Sequence, residues 1–116
     1  MPDQQSPSDL TLARLHFQPT SPRGRRVAAR RKDVVELARS AGFANVRIFG
    51  SVARGDDGAT SDIDLLVTLP ANASLFTIAR LERDLTELLG AEVDVVPDSS
   101  LQPHLADRVH AEAVNL

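Results

Sequence analysis

Cysteine, tryptophan and tyrosine are missing from this 116-residue sequence, and four phenylalanines are its only aromatic residues. Without cysteine the chain can form neither a disulfide nor a thiolate metal site, and it has no cysteine nucleophile. Any metal ion must therefore be bound by oxygen or imidazole ligands. Because aromatic side chains are so few, Val, Leu, Ile and Ala have to fill the hydrophobic core.

Apolar runs are short, and none approaches the roughly 18 residues of a membrane-spanning helix. The first ten residues, MPDQQSPSDL, are polar and acidic, whereas a secretory signal is basic and then apolar. We therefore expect a cytoplasmic protein that makes no contact with a membrane.

The length accommodates one hydrophobic core but not two, since domains commonly need about 100 residues or more. Residues 1–22 are rich in Pro, Ser and Gln, a composition typical of a mobile segment, and are predicted to form an N-terminal arm. The folded domain is expected to span residues 23–116.

Charge is distributed unevenly along the chain. Residues 1–54 contain ten Lys and Arg against four Asp and Glu, whereas residues 55–116 contain three against twelve. The acidic half could bind a cation and the basic half could bind an anion. Alternatively, the two halves simply attract each other. The basic cluster, from Arg23 to Lys32, could grip phosphates or an acidic protein, or could be an ordinary solvated helix face.

Apolar periodicity predicts three helices and three strands. The helices are expected over residues 25–41, 74–90 and 101–113, and the strands over residues 45–49, 61–69 and 92–96. Ser74 is a candidate N-cap and Gly90 a candidate stop for the second helix, which lies between two strands and so predicts a parallel crossover. The last helix should cover the sheet. The expected fold is α+β (α/β-like), with helices packed against a small mixed sheet of about three strands.

Two aspartates in the second predicted strand are separated by one residue. Side chains alternate between the faces of a strand, so Asp62 and Asp64 point the same way and Ile63 points the other way. Like charges roughly 7 Å apart repel each other unless a cation lies between them, and carboxylate oxygens are hard ligands that suit Mg²⁺ or Mn²⁺. Asp94 alternates with apolar residues in the third strand. If that strand neighbours the second one, three carboxylates converge.

The first predicted strand ends at a Gly-Ser pair. Gly50 and Ser51 open a short helical turn, in which free backbone N–H groups and a hydroxyl could receive a phosphate. Phosphate on one side and a divalent metal on the other is the arrangement that phosphoryl transfer requires. Each motif alone is common on protein surfaces, but their order and placement together favour this interpretation.

Together these residues read GSVARG at 50–55, five further residues, and then SDIDLLV at 61–67. This pattern resembles the signature of the minimal nucleotidyltransferases, a group within the polymerase-β-like superfamily. The resemblance extends from about Asp33 to the C-terminus and implies a nucleotidyltransferase fold. It also implies the family's reaction, in which a nucleoside monophosphate is transferred and pyrophosphate is released.

The resemblance assigns roles to individual residues. Asp62, Asp64 and Asp94 would hold two Mg²⁺ ions, with Mn²⁺ as a substitute, and Asp94 would also help to activate the attacking hydroxyl. All three are therefore candidate catalytic residues as well as metal ligands. Gly50 and Ser51 would bind the phosphates of ATP, the expected substrate.

Arg54 and Ser61 also match the signature and are further candidate nucleotide-binding residues. Arg54 could neutralise a phosphate or could brace the loop against a neighbouring carboxylate. Ser61 could simply cap the loop through its backbone. Asp56 and Asp57 are interpreted as part of the solvated loop between the motifs and not as metal ligands.

The resemblance also implies a partner. Larger members of the superfamily carry an additional domain that binds the acceptor, and this chain has no room for one. We therefore expect it to act as an antitoxin that pairs with a HEPN-type toxin and transfers AMP to a tyrosine of that toxin. One alternative is an antitoxin that neutralises its toxin by binding alone. A second is an enzyme that acts on RNA, with the basic cluster as its nucleic-acid contact.

Overall fold

Four strands form one mixed sheet at the centre of the computed structural model, which describes residues 16–116. In chain order the strands are β1 (Ala44–Phe49), β2 (Ile63–Thr68), β3 (Val93–Pro97) and β4 (Val114–Asn115). The helices are α1 (Pro22–Ala29), α2 (Arg31–Ser40), α3 (Gly50–Arg54), α4 (Leu75–Leu89) and α5 (Pro103–Glu112), and a 3₁₀ turn covers Asp98–Ser100. None of these described helices is both long and apolar enough to cross a membrane.

The strands are arranged in the order β3-β2-β1-β4. β1 runs antiparallel to both β2 and β4, whereas β2 and β3 are parallel. The predicted α+β class and the small mixed sheet are thus confirmed, although the sheet has a fourth strand that was not predicted. β4 has only two residues, too few to show an alternating pattern, and it forms because the chain after α5 returns to β1.

Helix α4 provides the parallel crossover between β2 and β3, as predicted. Ser74 caps its N-terminus by accepting a hydrogen bond from the Thr77 N–H, and Gly90 ends it with a φ of 67°. Its buried face consists of Leu81, Leu85 and Leu89. The helix therefore packs one aliphatic stripe against the sheet and sets β3 beside β2.

Side chains of α4 also cover the outer edge of β3. The Glu82 carboxylate accepts a hydrogen bond from the Val95 N–H at 2.8 Å, and Thr86 Oγ1 accepts one from the Val93 N–H at 3.1 Å. These contacts satisfy backbone donors that would otherwise be open for pairing with another strand. They also fix the position of β3, which carries Asp94.

The single helix predicted over residues 25–41 is wrong, because two helices, α1 and α2, occupy this region. Ser21 caps α1 and Pro22 occupies its first turn, so the helix begins before the predicted boundary. The chain leaves helical geometry at Arg30, where ψ is 19°. This break lets α1 lie against α3 while α2 lies against α4. Gly42 follows α2 with a φ of 89°, a conformation that favours glycine.

The core is aliphatic, as the composition predicts. Ile48 in β1, Leu65 in β2 and Leu85 in α4 are all fully buried. By contrast, no residue of α5 is buried, and Leu105 is exposed. The expectation that the last helix covers the sheet is therefore wrong. Helix α5 lies instead against α3, where its last turn reaches Gly50.

Part of the predicted N-terminal arm is packed against the domain. Phe17 is buried, its N–H donates to the Asn115 carbonyl oxygen at 2.8 Å, and His16 forms a bridge with Asn115. Arg31 donates to the Phe17 carbonyl oxygen at 2.7 Å. Phe17 and its neighbours thus belong to the folded unit. Residues 1–15 lie outside the described residues, so their predicted mobility stays a prediction.

Candidate active site

Asp62, Asp64 and Asp94, which we call the carboxylate cluster, lie together at one end of the sheet. Asp64 in β2 is the direct partner of Asp94 in the parallel strand β3, so their side chains lie on the same face. The apolar residues that alternate with them face the core: Ile63, Leu65, Val93 and Val95. Asp62 comes just before β2, which begins later than predicted, and its carboxyl group lies beside that of Asp94. The structure thus brings together the three carboxylates of the motif.

Electrostatic repulsion is concentrated at the carboxylate cluster. Burial raises the pKa of Asp64 to about 6, with further contributions from the negative charges of Asp94 and Asp62. The partial burial of Asp94, whose side chain is otherwise exposed, also raises its pKa, and the charges of Asp62 and Glu82 add to this effect. Neighbouring carboxylates repel each other, which favours the neutral form of one of them. The cluster therefore favours the uptake of positive charge, as protons or as a cation.

The donor set of the cluster suits a hard divalent cation. Carboxylate oxygens are the ligands that Mg²⁺ and Mn²⁺ prefer, and a bound cation would offset both the burial and the repulsion that raise the pKa of Asp64. No group of three or more acidic or histidine side chains within residues 16–116 is already arranged to hold a metal ion. The carboxylates would therefore have to close on an ion as it binds.

The Gly50 turn, formed by Gly50 and Ser51 at the start of α3, packs directly over Asp64. Gly50 has a φ of 78°, and a Cβ built on it would overlap Asp64 Oδ2. Glycine suits both this conformation and this close approach. The hydroxyl of Ser51 makes no hydrogen bond within the part of the chain that the structure describes. The turn therefore presents an unpaired hydroxyl beside the carboxylate cluster.

Glu112 binds the Gly50 turn, although no sequence pattern predicts this contact. Its Oε2 accepts a hydrogen bond from the Gly50 N–H at 2.7 Å, and its Oε1 accepts one from Arg54 Nη1 at 2.7 Å. The Gly50 N–H, expected to be free for a phosphate, is therefore engaged. Burial alone would raise the pKa of Glu112, but the hydrogen bonds from Arg54 and Gly50 outweigh it, and the pKa is lowered.

Arg54 braces the turn, which is one of the two roles considered for it. Besides Glu112, it contacts Asp56, with 3.2 Å between Arg54 Nε and Asp56 Oδ2. The hydrogen bonds to Glu112 and Asp56 raise the pKa of Arg54. Both carboxylates thus hold the guanidinium at the end of α3, and a phosphate would have to compete with them.

The connector, which we define as residues 55–62, links α3 to β2. Ser61 caps it, since Ser61 Oγ accepts a hydrogen bond from the Gly58 N–H at 2.8 Å and the Ser61 N–H donates to the Gly58 carbonyl oxygen at 3.2 Å. Asp57 was expected to be solvated, but its Oδ1 is buried and has no hydrogen-bond partner within the described residues. The connector is therefore more closely packed than its composition predicts.

Arginines of the basic cluster are engaged by the fold itself. Three of them donate to backbone carbonyl oxygens: Arg23 to Gly58 and Ala59, Arg26 to Leu89 and Gly90, and Arg31 to Phe17. Arg30 pairs with Asp33 at the surface, at 3.4 Å. Half of the six basic side chains thus hold backbone groups of the domain, and these three guanidinium groups are not free to grip a phosphate.

Residues 30–115 match the model of one protein family, which is described as a nucleotidyltransferase domain. The chain belongs to this family. The matched region includes the Gly50 turn, the carboxylate cluster and Glu112. The protein is therefore a nucleotidyltransferase, as the motif predicts.

Two relatives are similar to this nucleotidyltransferase over most of their length. MJ0435 of Methanocaldococcus jannaschii, a candidate protein adenylyltransferase, is 40% identical over 86 residues, which cover 74% of this chain and 92% of that protein. The protein adenylyltransferase MntA of Thermococcus cleftensis is 39% identical over 79 residues, which cover 68% of this chain and 80% of that protein.

Solved structures share the fold of the nucleotidyltransferase. A candidate minimal nucleotidyltransferase matches with a TM-score of 0.74 and 42% identity, over 80% of this chain and 95% of that one. A chain in the complex of a tri-AMPylated Shewanella oneidensis HEPN toxin with an MNT antitoxin matches with a TM-score of 0.58 and 20% identity, over 76% and 69% of the two chains. The second likeness shows the fold alone. The predicted nucleotidyltransferase fold is confirmed.

Proposed function

We propose that this nucleotidyltransferase transfers AMP from ATP to a partner protein, a HEPN-type toxin, and thereby acts as its antitoxin. The observation that carries the proposal is the pairing of Asp64 with Asp94 across β2 and β3, beside the Gly50 turn. This pairing supports the proposal, because it brings two carboxylates next to a turn that could face nucleotide phosphates. The relative MntA, named as a protein adenylyltransferase, supports the choice of AMP and of a protein acceptor.

The carboxylate cluster would hold Mg²⁺, two ions as the family resemblance implies, and Mn²⁺ could replace it. When bound, the metal would supply positive charge that stabilises the phosphates during transfer. Because the pKa of Asp64 is raised to about 6, protons should compete for this carboxylate in mildly acidic solution. We therefore expect activity to weaken as the pH falls below about 6.

In the transfer step, a hydroxyl oxygen of the acceptor attacks the α-phosphorus of ATP. A bond forms between that oxygen and the phosphorus, the bond to the bridging oxygen breaks, and pyrophosphate leaves. Asp94 would take the proton of the hydroxyl, since its raised pKa makes it a better proton acceptor than an ordinary carboxylate. Ser51, with its unpaired hydroxyl, would contact the phosphates beside the Gly50 turn.

The acceptor is proposed to be a tyrosine of the partner. This sequence contains no tyrosine, so such an acceptor has to lie outside it. Asp62 and Asp94 are exposed, which leaves the carboxylate cluster open to the approach of a second protein. In one solved complex an AMPylated HEPN toxin is bound to an MNT antitoxin, whose fold this chain shares.

Intact-mass spectrometry tests the proposal directly. The purified protein is mixed with ATP, Mg²⁺ and the product of the neighbouring gene, and the mass of that product is then measured. We expect the wild type to add one or more AMP groups and Asp64→Asn to add none, and peptide mapping should find the AMP on tyrosine. Full inhibition of the partner without any adduct would favour an antitoxin that acts by binding alone.

An RNA acceptor has less support from the structure. Arg23, Arg26 and Arg31 are engaged by backbone carbonyl groups, which removes half of the basic cluster from any nucleic-acid contact. The remaining basic residues have no interleaved aromatic side chains on which bases could stack. Incubation with labelled ATP and total RNA provides the test. Label in RNA but not in the partner would show that the acceptor is RNA and not a protein.

A further inference from the structure

The segment of residues 17–23, which we call the brace, precedes the family domain and packs beside the candidate active site. The family match begins only at residue 30. Phe17 nevertheless fills a buried position, its N–H donates to the Asn115 carbonyl oxygen, and its own carbonyl oxygen accepts from Arg31. The backbone N–H and carbonyl groups of Phe17 are thus both hydrogen-bonded, so this end of the brace is fixed to the domain.

From this anchor the brace reaches the connector. Arg23 Nη1 donates to the Gly58 carbonyl oxygen at 2.8 Å, and Arg23 Nη2 donates to the Ala59 carbonyl oxygen at 2.9 Å. Gly55, with a φ of 83°, lies so close to Thr20 that a Cβ on Gly55 would overlap Thr20 Oγ1. The brace therefore contacts both the beginning and the middle of the connector.

The two bonds of Arg23 control orientation as well as position. A planar guanidinium that binds two successive carbonyl oxygens fixes the peptide unit between them, which a lysine ammonium cannot do in the same way. Ala59 lies three residues before Asp62, and the capping contacts between Gly58 and Ser61 span most of that interval. A shift of the peptide unit between Gly58 and Ala59 would therefore also shift Asp62.

We infer that Arg23 is a positioning residue for the carboxylate cluster. It holds the connector through Gly58 and Ala59, so that Asp62 stays beside Asp94. Arg23 itself contacts none of the three carboxylates. The inference rests on the proposed nucleotidyl transfer for its activity readout, but the positioning of the connector can be measured without it.

Two variants in helix α1 form a matched pair. Arg23→Gln removes both bonds to the connector. Arg26→Gln removes the bonds from Arg26 Nη1 to the carbonyl oxygens of Leu89 and Gly90, at the end of α4. Each variant replaces an arginine that donates to two backbone carbonyl groups. A general loss of stability would therefore appear in both.

Hydrogen–deuterium exchange of the full-length, ligand-free protein is the first readout. The Gly58 and Ser61 N–H groups are hydrogen-bonded within the connector. We expect Arg23→Gln to speed exchange in the peptide that covers the connector, and Arg26→Gln to leave that peptide unchanged. Exchange in the connector that is the same in Arg23→Gln as in the wild type would overturn the inference.

The Mg²⁺ concentration for half-maximal transfer is the second readout. We expect it to rise roughly tenfold in Arg23→Gln, a change typical of residues that orient metal ligands, with little change in KM for ATP. Arg23→Lys should recover part of the loss. If the Mg²⁺ concentration for half-maximal transfer rose equally in Arg26→Gln, Arg23 would act only through the stability of the protein. Absence of transfer by the wild type would instead refute the proposed function, and the exchange experiment would still decide the positioning role.

Discussion

Arg54 and Glu112 form an ion pair of 2.7 Å although 58 residues separate them in the sequence. The same Glu112 carboxylate accepts a hydrogen bond from the Gly50 N–H, so it ties the Gly50 turn to the last turn of α5. The charge of Glu112 also contributes to the raised pKa of Asp64. Glu112 therefore contacts both the Gly50 turn and Arg54, and its charge also affects the pKa of Asp64 in the carboxylate cluster.

Replacement of Glu112 by Ala should destabilise the protein. The variant leaves the Gly50 N–H without its acceptor, and an unsatisfied backbone donor of this kind costs about 1–3 kcal/mol. Urea unfolding measures the change. Asp107→Ala, at an exposed position of the same helix, is the control and should stay within about 0.5 kcal/mol of the wild type. Equal losses in the two variants would show that the contacts of Glu112 contribute nothing of their own.

Stability of the ligand-free protein should increase as the pH falls from about 7 to about 5. The pKa of Asp64 is raised from 3.8 to about 6, so the folded state binds this proton more tightly than the unfolded chain does. The resulting stabilisation is complete below the unfolded pKa and is lost as the pH rises through about 6. Asp64→Asn should flatten this dependence and stabilise the protein at pH 7 by about 1–2 kcal/mol, after allowance for solvent screening.

Urea unfolding at a series of pH values between 5 and 7 checks this prediction. Glu112 acts in the opposite direction but in a lower range, because its pKa is lowered from 4.5 and its contribution is lost only as the pH falls through that lowered value. Asp107→Asn serves as the control for the removal of a negative charge. A pH dependence that is the same in Asp64→Asn and in the wild type would contradict the electrostatic description of the cluster.

The carboxylate cluster could be located from the sequence because each step depends on a local pattern. Strand alternation puts Asp64 on the face opposite its apolar neighbours. The crossover helix is bounded by Ser74 and Gly90, and the strand-helix-strand order predicts parallel neighbours. Once β3 lies beside β2, Asp94 can lie opposite Asp64, as the register shows.

The contacts around the Gly50 turn could not be predicted in this way, because they join residues that are distant in sequence. Glu112 looks like any other acidic residue of an exposed helix, and its position depends on the return of the chain through β4. Phe17 lies in a segment rich in Pro and Ser, a composition typical of mobility, yet its ring fills a buried position. The break at Arg30 likewise depends on distant contacts, because α1 packs against α3 and α2 packs against α4.

Gly50→Ala should impair both folding and transfer. Its φ of 78° is unfavourable for a residue with a Cβ, at about 1–2 kcal/mol, and the new methyl group would overlap Asp64 Oδ2. Gly58→Ala is a matched control, since the nearest atom to its new Cβ is Ser61 Oγ at 4.0 Å and its φ is not in the left-handed region. Thermal unfolding and the transfer assay should place Gly58→Ala near the wild type. Full transfer by Gly50→Ala would contradict the close approach of the turn to Asp64.

Metal binding should depend on the carboxylate cluster and not on Asp56 of the connector. We expect Asp62→Asn and Asp94→Asn to weaken Mg²⁺ or Mn²⁺ binding by at least about 10- to 100-fold, since loss even of residues that orient metal ligands has effects of this size. Asp56→Asn should leave binding nearly unchanged, because the Asp56 carboxylate contacts Arg54. Isothermal titration calorimetry without nucleotide measures the affinities, and circular dichroism checks the fold. Weakened binding in Asp56→Asn but not in Asp62→Asn would move the metal site from the carboxylate cluster to Asp56.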